Sequence, residues 1–166
     1  MVESELPNKW RERVIRYAPL LLWIGVVLFA STAQGSMQNT SHLIRPILVF
    51  LFPNSSDETI NAYHAIVRKL AHLTEYAILA FWACRAFWSS AVEFLRRFWF
   101  VFALILVFLI ASVDEYNQSF DILRTGSVYD VLLDVAGGTL MIVFLAIYKR
   151  MSEKISFDFT FGKSSR

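Results

Sequence analysis

Long apolar runs without charge constrain this sequence more than any other feature. Tyr17–Ala33 and Phe98–Val113 contain no charged side chain, and Val128–Tyr148 carries only Asp130 and Asp134, near its start. Runs of this kind approach the ~20 residues that a helix needs to cross the hydrocarbon of a bilayer. With 166 residues, 56% of them hydrophobic, the composition indicates one small membrane domain rather than a soluble one.

A further helix is predicted upstream of the run at Phe98. Ser55 and Glu58 have the spacing of a capping box, and the helix that they begin is expected to reach Trp88. At 1.5 Å per residue it would be about 48 Å long, which exceeds a bilayer core. Its first turns are therefore expected in the headgroups or outside the membrane.

The segment before this helix is apolar but too short to cross. Leu43–Phe52 contains Arg45 and Pro46, so it is predicted to lie in the membrane interface, with a buried re-entrant piece as the alternative.

The predicted fold is all-α, with four transmembrane helices in a compact bundle plus the short interfacial or re-entrant segment between helices one and two. The helices are expected at about 17–34, 60–88, 98–113 and 128–148, between an N-terminal segment, 1–16, and a solvated tail, 149–166. Pro19 would fall in the first turn of helix one, where proline is tolerated. A signal peptide cleaved near Ser31–Ala33 is the alternative for that helix, but its basic flank equally suits a retained anchor.

The positions of lysine and arginine predict the orientation. With the N-terminus inside, 12 of the 16 lysines and arginines lie on the inner side, and only Arg45, Arg68, Lys69 and Arg124 lie outside. This bias predicts cytoplasmic termini in an inner, or plasma, membrane.

Two polar stretches interrupt the apolar sequence. The first is Arg68–Tyr76, and the second runs from Asp114–Gln118 through Arg124 to Asp130 and Asp134. Counted along the helices, Glu75, Asp114 and Asp134 all fall within about 10 Å of the outer surface. Ionisable groups are costly there and normally face one another, so the two stretches predict one extracytoplasmic polar site.

Helix spacing groups the polar side chains further. Arg68, His72 and Glu75 share one face, with Lys69 beside His72. Asp130 and Asp134 are also neighbours, and they repel unless a proton, Arg124, Lys69 or a metal ion neutralises one of them. Gly137 and Gly138 follow and would allow a close helix approach.

Less specific interpretations stay open. The cluster could consist only of interhelical salt bridges and hydrogen bonds. A metal site on His72, Glu75 and acids of helices three and four would suit manganese or iron-like ions, but the spacing alone does not assign a metal, and the sequence does not identify a cofactor. His42 and His64 are expected at the interface or on a helix surface. The one cysteine, Cys84, excludes an internal disulfide.

Three blocks of this sequence resemble the VanZ-like membrane proteins. Arg68–Tyr76 is similar to their K-x-x-H-x-x-E-Y block, and Asp114–Phe120 to D-E-x-x-Q-x-F. The closing block R-x-x-S-x-x-D-x-x-x-[DN]-x-x-G is matched by Arg124, Ser127, Asp130, Asp134 and Gly137, with Asp134 where many relatives carry Asn. The resemblance covers Arg68–Gly138 and implies a bacterial inner-membrane protein of the cell envelope, from a family whose name-giving member is associated with teicoplanin resistance.

The expected function is to bind or modify an anionic lipid or a lipid-linked cell-envelope precursor. The candidate acid, base and orienting groups are His72, Glu75, Asp114, Glu115, Asp130 and Asp134. Arg68, Lys69, Gln118 and Arg124 are the candidate ligand-binding groups. Arginine and lysine suit phosphate, and His72 with Glu75 would be the acid–base pair of any chemistry.

Other function classes fit the same residues. An enzyme is one, although the chain has no nucleophile elbow. A proton- or ion-coupled transporter is another, for which a homodimer would compensate for few helices, and a non-catalytic scaffold is the third. Nucleic acid is not an expected partner.

Overall fold

The computed structural model describes residues 6–31, 37–119 and 127–161, with side chains described over 10–31, 41–119 and 127–152. This part of the chain is helical and contains no strand. Its helices are α1 (Leu6–Ala30), α2 (Met37–Leu51), α3 (Asp57–Trp88), α4 (Glu93–Arg97), α5 (Trp99–Gln118) and α6 (Val128–Phe161).

The long helices α1, α3, α5 and α6 form a bundle with two common ends. The Tyr17 hydroxyl lies 3.1 Å from the Ser90 hydroxyl, and the Trp23 Nε1 donates to the Glu75 carbonyl at 3.0 Å, so α1 is antiparallel to α3. At the end of α1, the Ser31 hydroxyl donates to the Asp114 carbonyl of α5 at 3.4 Å. We call this the Asp114 end of the bundle.

The opposite end carries aromatic and basic side chains. The Lys149 ammonium of α6 lies 4.5 Å from the centre of the Trp88 ring and 5.9 Å from that of Trp99. We call it the Lys149 end. Tryptophan and lysine together are typical of a membrane–water interface.

Small side chains bring the helices together around α3, which packs against α1, α2, α5 and α6. Its buried face includes Ala80 and Ala83, and that of α5 includes Ala103 and Ala111. A Cβ on Gly137 of α6 would lie 2.3 Å from the Leu73 carbonyl oxygen of α3, and one on Gly138 would lie 2.6 Å from Val107 of α5. The predicted close approach at Gly137–Gly138 is confirmed.

Three helices contain segments long and apolar enough to cross a membrane: Trp10–Ala30, Trp99–Gln118 and Val128–Ser152. Large apolar side chains stay exposed along them, among them Leu22, Phe29, Phe108, Leu140 and Phe144. These helices indicate a multi-pass membrane protein. The predicted fourth span on α3 is not among them, because α3 is less apolar and carries His72, Glu75 and Arg85 along its second half.

The position of Pro19 differs from the prediction. Because α1 begins at Leu6, Pro19 lies inside the helix rather than in its first turn. Proline has no amide hydrogen to donate to the carbonyl four residues earlier, which is that of Ile15. Arg85 of α3 donates to this carbonyl at 3.3 Å, so a side chain from a neighbouring helix replaces the missing donor.

Two helix boundaries also differ from the predicted ones. The α3 N-cap is Ser56, whose hydroxyl accepts from the Thr59 amide at 3.3 Å, one residue after the predicted Ser55. Helix α5 continues through Gln118 rather than ending at Val113.

Helix α2 packs on the first turns of α3. Arg45 donates to Asp57 at 2.6 Å, and the Phe52 and Tyr63 rings lie 4.9 Å apart. His64 is buried, with its Nδ1 3.4 Å from the Ser41 hydroxyl. Its predicted position on a helix surface is therefore wrong, because α2 covers it.

Candidate functional site

A buried group of polar side chains lies between α3, α5 and α6 at the Asp114 end. It consists of His72 and Tyr76 of α3, Asp114 and Gln118 of α5, and Asp134 of α6, and we call it the polar cluster. His72 and Tyr76 are four residues apart, as are Asp114 and Gln118, so each pair lies on one helix face. Gly137 lies less than one turn after Asp134, and its close contact with Leu73 brings α6 against α3 beside His72.

Asp114 is held by two side chains. The Tyr76 hydroxyl donates to its Oδ2 at 2.9 Å, and the Gln118 amide donates to its Oδ1 at 2.8 Å. Tyr76 is completely buried and Asp114 is 2% exposed. Charge-assisted hydrogen bonds of this kind fix the carboxylate in one orientation.

His72 and Asp134 face each other without a hydrogen bond. The His72 Nδ1 lies 3.6 Å from the Asp134 Oδ1, beyond hydrogen-bonding distance, and the Asp134 side chain is 0% exposed. Within the described residues, the His72 Nδ1 and both Asp134 carboxylate oxygens have no hydrogen-bond partner. Buried polar atoms are normally satisfied, so these three atoms call for an explanation.

The cluster brings potential metal ligands from three helices together. One ligand atom each from His72, Asp114 and Asp134 can be chosen so that all lie within 4.8 Å of one another. The side chain of His72 is 23% exposed, so part of its ring reaches the surface of the described bundle, while its Nδ1 is buried.

A comparison with protein families gives this arrangement a context. A family model described as VanZ/LLP1 matches residues 17–149, most of the chain. The chain belongs to the VanZ/LLP1 family. No curated protein and no solved structure matches the chain.

The three sequence blocks of this VanZ/LLP1 protein contribute to one site. The block at Arg68–Tyr76 lies on α3, that at Asp114–Gln118 ends α5, and Asp130 and Asp134 lie in the first turns of α6. Each block supplies one of the three residues whose ligand atoms converge.

Glu115 and Glu75 lie beside the cluster. The Glu115 carboxylate accepts from the Ser127 amide at 2.9 Å and thereby joins the end of α5 to the start of α6. A carboxylate at a helix N-terminus is also favoured by the helix dipole. Glu75 is half-buried one turn after His72 on α3.

The candidate cations occupy the turn of α3 before His72. Arg68 is half-buried and Lys69 is exposed. Asp134 lies against His72, so Lys69, one of the groups expected to neutralise Asp130 or Asp134, does not pair with Asp134. Asp130 is half-buried, one turn before Asp134, and Arg124 lies outside the described residues.

The sequence interpretation missed Tyr76 as a site residue. A signal for it was present, because Tyr76 lies four residues after His72 and shares its helix face. The backbone contacts from Trp23 and Ser31 of α1 had no comparable signal, since an apolar helix gives no indication of which neighbour it touches.

Proposed function

We propose that this VanZ/LLP1 protein binds the anionic headgroup of a lipid or a lipid-linked cell-envelope precursor at the extracytoplasmic face of the bacterial inner membrane. The observation that carries the proposal is the polar cluster itself. The His72 Nδ1 and the Asp134 oxygens lack hydrogen-bond partners in the described residues, which stability alone does not explain, and the cations Arg68 and Lys69 lie one turn before His72 on α3.

The packing of α3 in the same bundle as α1, α5 and α6 supports four membrane-crossing helices. Helix α1 contacts Ser90, just after the end of α3, and Glu75, in the middle of α3, and Ser31 at the end of α1 reaches Asp114 of α5. If α1, α5 and α6 cross the bilayer, α3 crosses with them, shielded from lipid by its neighbours. The excess of lysine and arginine at the Lys149 end supports a cytoplasmic position for that end and for both termini, with α2 in the outer interface.

Arg68 and Lys69 supply the positive charge for a headgroup phosphate. They lie on the turn of α3 that precedes His72, so a phosphate bound there would lie next to the exposed edge of the polar cluster. Arginine binds phosphate oxygens in pairs and lysine as a point charge. Arg124, which lies between α5 and α6 in the sequence and outside the described residues, is proposed as a third cation.

Native mass spectrometry of protein purified in mild detergent tests the binding. We expect an anionic lipid to co-purify with the wild type and to fall at least tenfold in Lys69→Ala. Arg150→Ala, which removes an exposed cation at the Lys149 end, is the matched control and should retain the lipid. The mass of the bound species separates a phospholipid from a polyprenyl phosphate, and equal retention in both variants contradicts the proposal.

The family context suggests a cellular readout. We propose that headgroup binding alters the response of the cell to teicoplanin. Expression of the wild type in a sensitive bacterium should raise the teicoplanin concentration that stops growth, and expression of Lys69→Ala at the same level should not. Equal protection by both proteins would separate resistance from the proposed site.

A proton relay is the second candidate function. The observation in its favour is the 3.6 Å separation of His72 and Asp134 at a partly open site. Proton flux into proteoliposomes that is lost in His72→Gln would support the relay, whereas lipid retention without flux supports the first proposal.

A further inference from the structure

We propose that His72, Asp114 and Asp134 bind a divalent transition-metal ion, through the His72 Nδ1 and one or more oxygens of each carboxylate. This inference goes beyond headgroup binding and does not rest on it. The site draws one ligand from each of α3, α5 and α6, so an ion there would also connect three helices of the bundle.

The spacing of the ligand atoms fits a shared ion. Atoms bound at about 2.1–2.5 Å from one ion lie about 3–5 Å from each other, depending on the coordination angle. The three chosen atoms lie within 4.8 Å of one another. Small side-chain rotations would bring these three atoms to bonding distance from one ion.

The second observation is the unsatisfied, fully buried Asp134. Its side chain is 0% exposed, and neither oxygen has a hydrogen-bond partner in the described part of the chain. The His72 Nδ1, 3.6 Å away, lacks one as well. A bound ion would satisfy all three atoms at once, which no hydrogen bond between these two side chains can do.

Charge balance favours a divalent ion. Asp114 and Asp134 are buried carboxylates from facing helices, and buried charges are costly unless they are compensated. An imidazolium at His72 would neutralise one of them. A divalent cation neutralises both and leaves His72 as a neutral ligand.

The surroundings of Asp114 resemble the outer shell of a metal site. Tyr76 and Gln118 each donate one hydrogen bond to its carboxylate. Each carboxylate oxygen keeps a second lone pair, so ligation remains open to it. Outer partners of this kind orient a ligand and typically change metal affinity 10–100-fold when they are removed.

The ligand types select the ion. An imidazole nitrogen with two carboxylates suits Mn²⁺, Fe²⁺ or Zn²⁺, whereas Mg²⁺ and Ca²⁺ prefer oxygen ligands alone.

Mn²⁺ binding to the purified full chain tests the site without any lipid. Protein in detergent is stripped with a chelator and titrated with Mn²⁺, and free Mn²⁺ is measured by electron paramagnetic resonance. We expect about one ion per chain in the wild type and at least tenfold weaker binding in Asp134→Asn and His72→Gln. Tyr76→Phe should weaken it 10–100-fold, and Glu93→Gln, an exposed acid at the Lys149 end, should leave it unchanged.

A measurement on the wild type alone guards against variants that fail to fold. Electron spin-echo modulation of bound Mn²⁺ should show coupling to a ¹⁴N nucleus of His72. No Mn²⁺ binding in the presence of excess Mg²⁺, bound Mn²⁺ without ¹⁴N coupling, or unchanged affinity in folded Asp134→Asn would each overturn the proposal. Lipid retention plays no part in these outcomes, so the two proposals can fail separately.

Discussion

The buried hydroxyl of Tyr76 donates to the Asp114 carboxylate in the polar cluster. We predict that Tyr76→Phe lowers the free energy of unfolding by about 1.5–3 kcal/mol, because a buried carboxylate loses a hydrogen-bond donor that water cannot replace. Thermal unfolding in detergent measures the change. Tyr148→Phe, on an exposed tyrosine of α6, should change the stability by less than about 0.5 kcal/mol, and equal effects of the two substitutions would contradict the role of Tyr76.

Asp134 is predicted to serve function at the expense of stability. In metal-free protein, Asp134→Leu should leave the free energy of unfolding unchanged or raise it by up to about 2 kcal/mol, because an apolar side chain replaces an unsatisfied buried carboxylate. The same variant should lose Mn²⁺ binding.

Chemical unfolding and Mn²⁺ titration on the same samples of Asp134→Leu test whether binding is lost while stability is kept. A marked loss of stability in metal-free protein would show that Asp134 is structural. The cluster would then be a scaffold of polar contacts rather than a ligand site.

At the scale of helices, one glycine sets the distance between α3 and α6. A Cβ at residue 137 would lie 2.3 Å from the Leu73 carbonyl oxygen, a backbone atom that cannot rotate away. We predict that Gly137→Ala destabilises the bundle by about 1–3 kcal/mol and weakens Mn²⁺ binding, since His72 lies next to Leu73. Gly25→Ala is the matched control, because a Cβ at Gly25 meets nothing within 4 Å.

Gly25→Ala should be neutral or slightly stabilising, since alanine is the better helix former. Thermal unfolding of the two variants side by side gives the comparison. If Gly137→Ala were as stable as Gly25→Ala, the close approach of α3 and α6 would not be required for the fold.

Helix α1 depends on α3 in a different way. Arg85 donates to the Ile15 carbonyl that Pro19 leaves without an amide donor, and its guanidinium also lies 5.6 Å from the centre of the Trp82 ring. We predict that Arg85→Met costs about 1–3 kcal/mol, measured by thermal unfolding. Arg13→Met, at an exposed position of α1, should have little effect, and a similar loss in both would argue against this pairing.

At the scale of the molecule, the sequence allowed the axial positions of the polar groups to be predicted. Counting 1.5 Å per residue from the basic ends of the helices put Asp114 and Asp134 at one level, and the structure brings these two residues together with His72. The glycine pair after Asp134 predicted a close approach because only small residues allow it.

Rotation about the helix axes was much harder to predict. Depth alone did not show that Asp134 faces His72 rather than Lys69, or that Tyr76 reaches Asp114, since both depend on how α3 is turned against its neighbours. Polar residues also obscured helix ends: Asp114 and Gln118 resembled a loop, but they are a buried part of α5.

The final prediction concerns the number of crossings, and it tests α3 directly. Asn54 lies just before α3 and Glu93 just after it, and both are exposed. If α3 crosses the membrane, single cysteines at these two positions lie on opposite sides. In intact cells, a membrane-impermeant maleimide should label Asn54→Cys and Ser119→Cys, and should label Glu93→Cys only after permeabilisation.

The native Cys84 is buried, so it should add little background. Labelling of Asn54→Cys and Glu93→Cys from the same side would leave α3 without a crossing. Labelling of Glu93→Cys alone in intact cells would keep four crossings but reverse the orientation. In that case the polar cluster would lie at the cytoplasmic face of the membrane. The proposed site would then bind headgroups of the inner leaflet rather than of the outer leaflet.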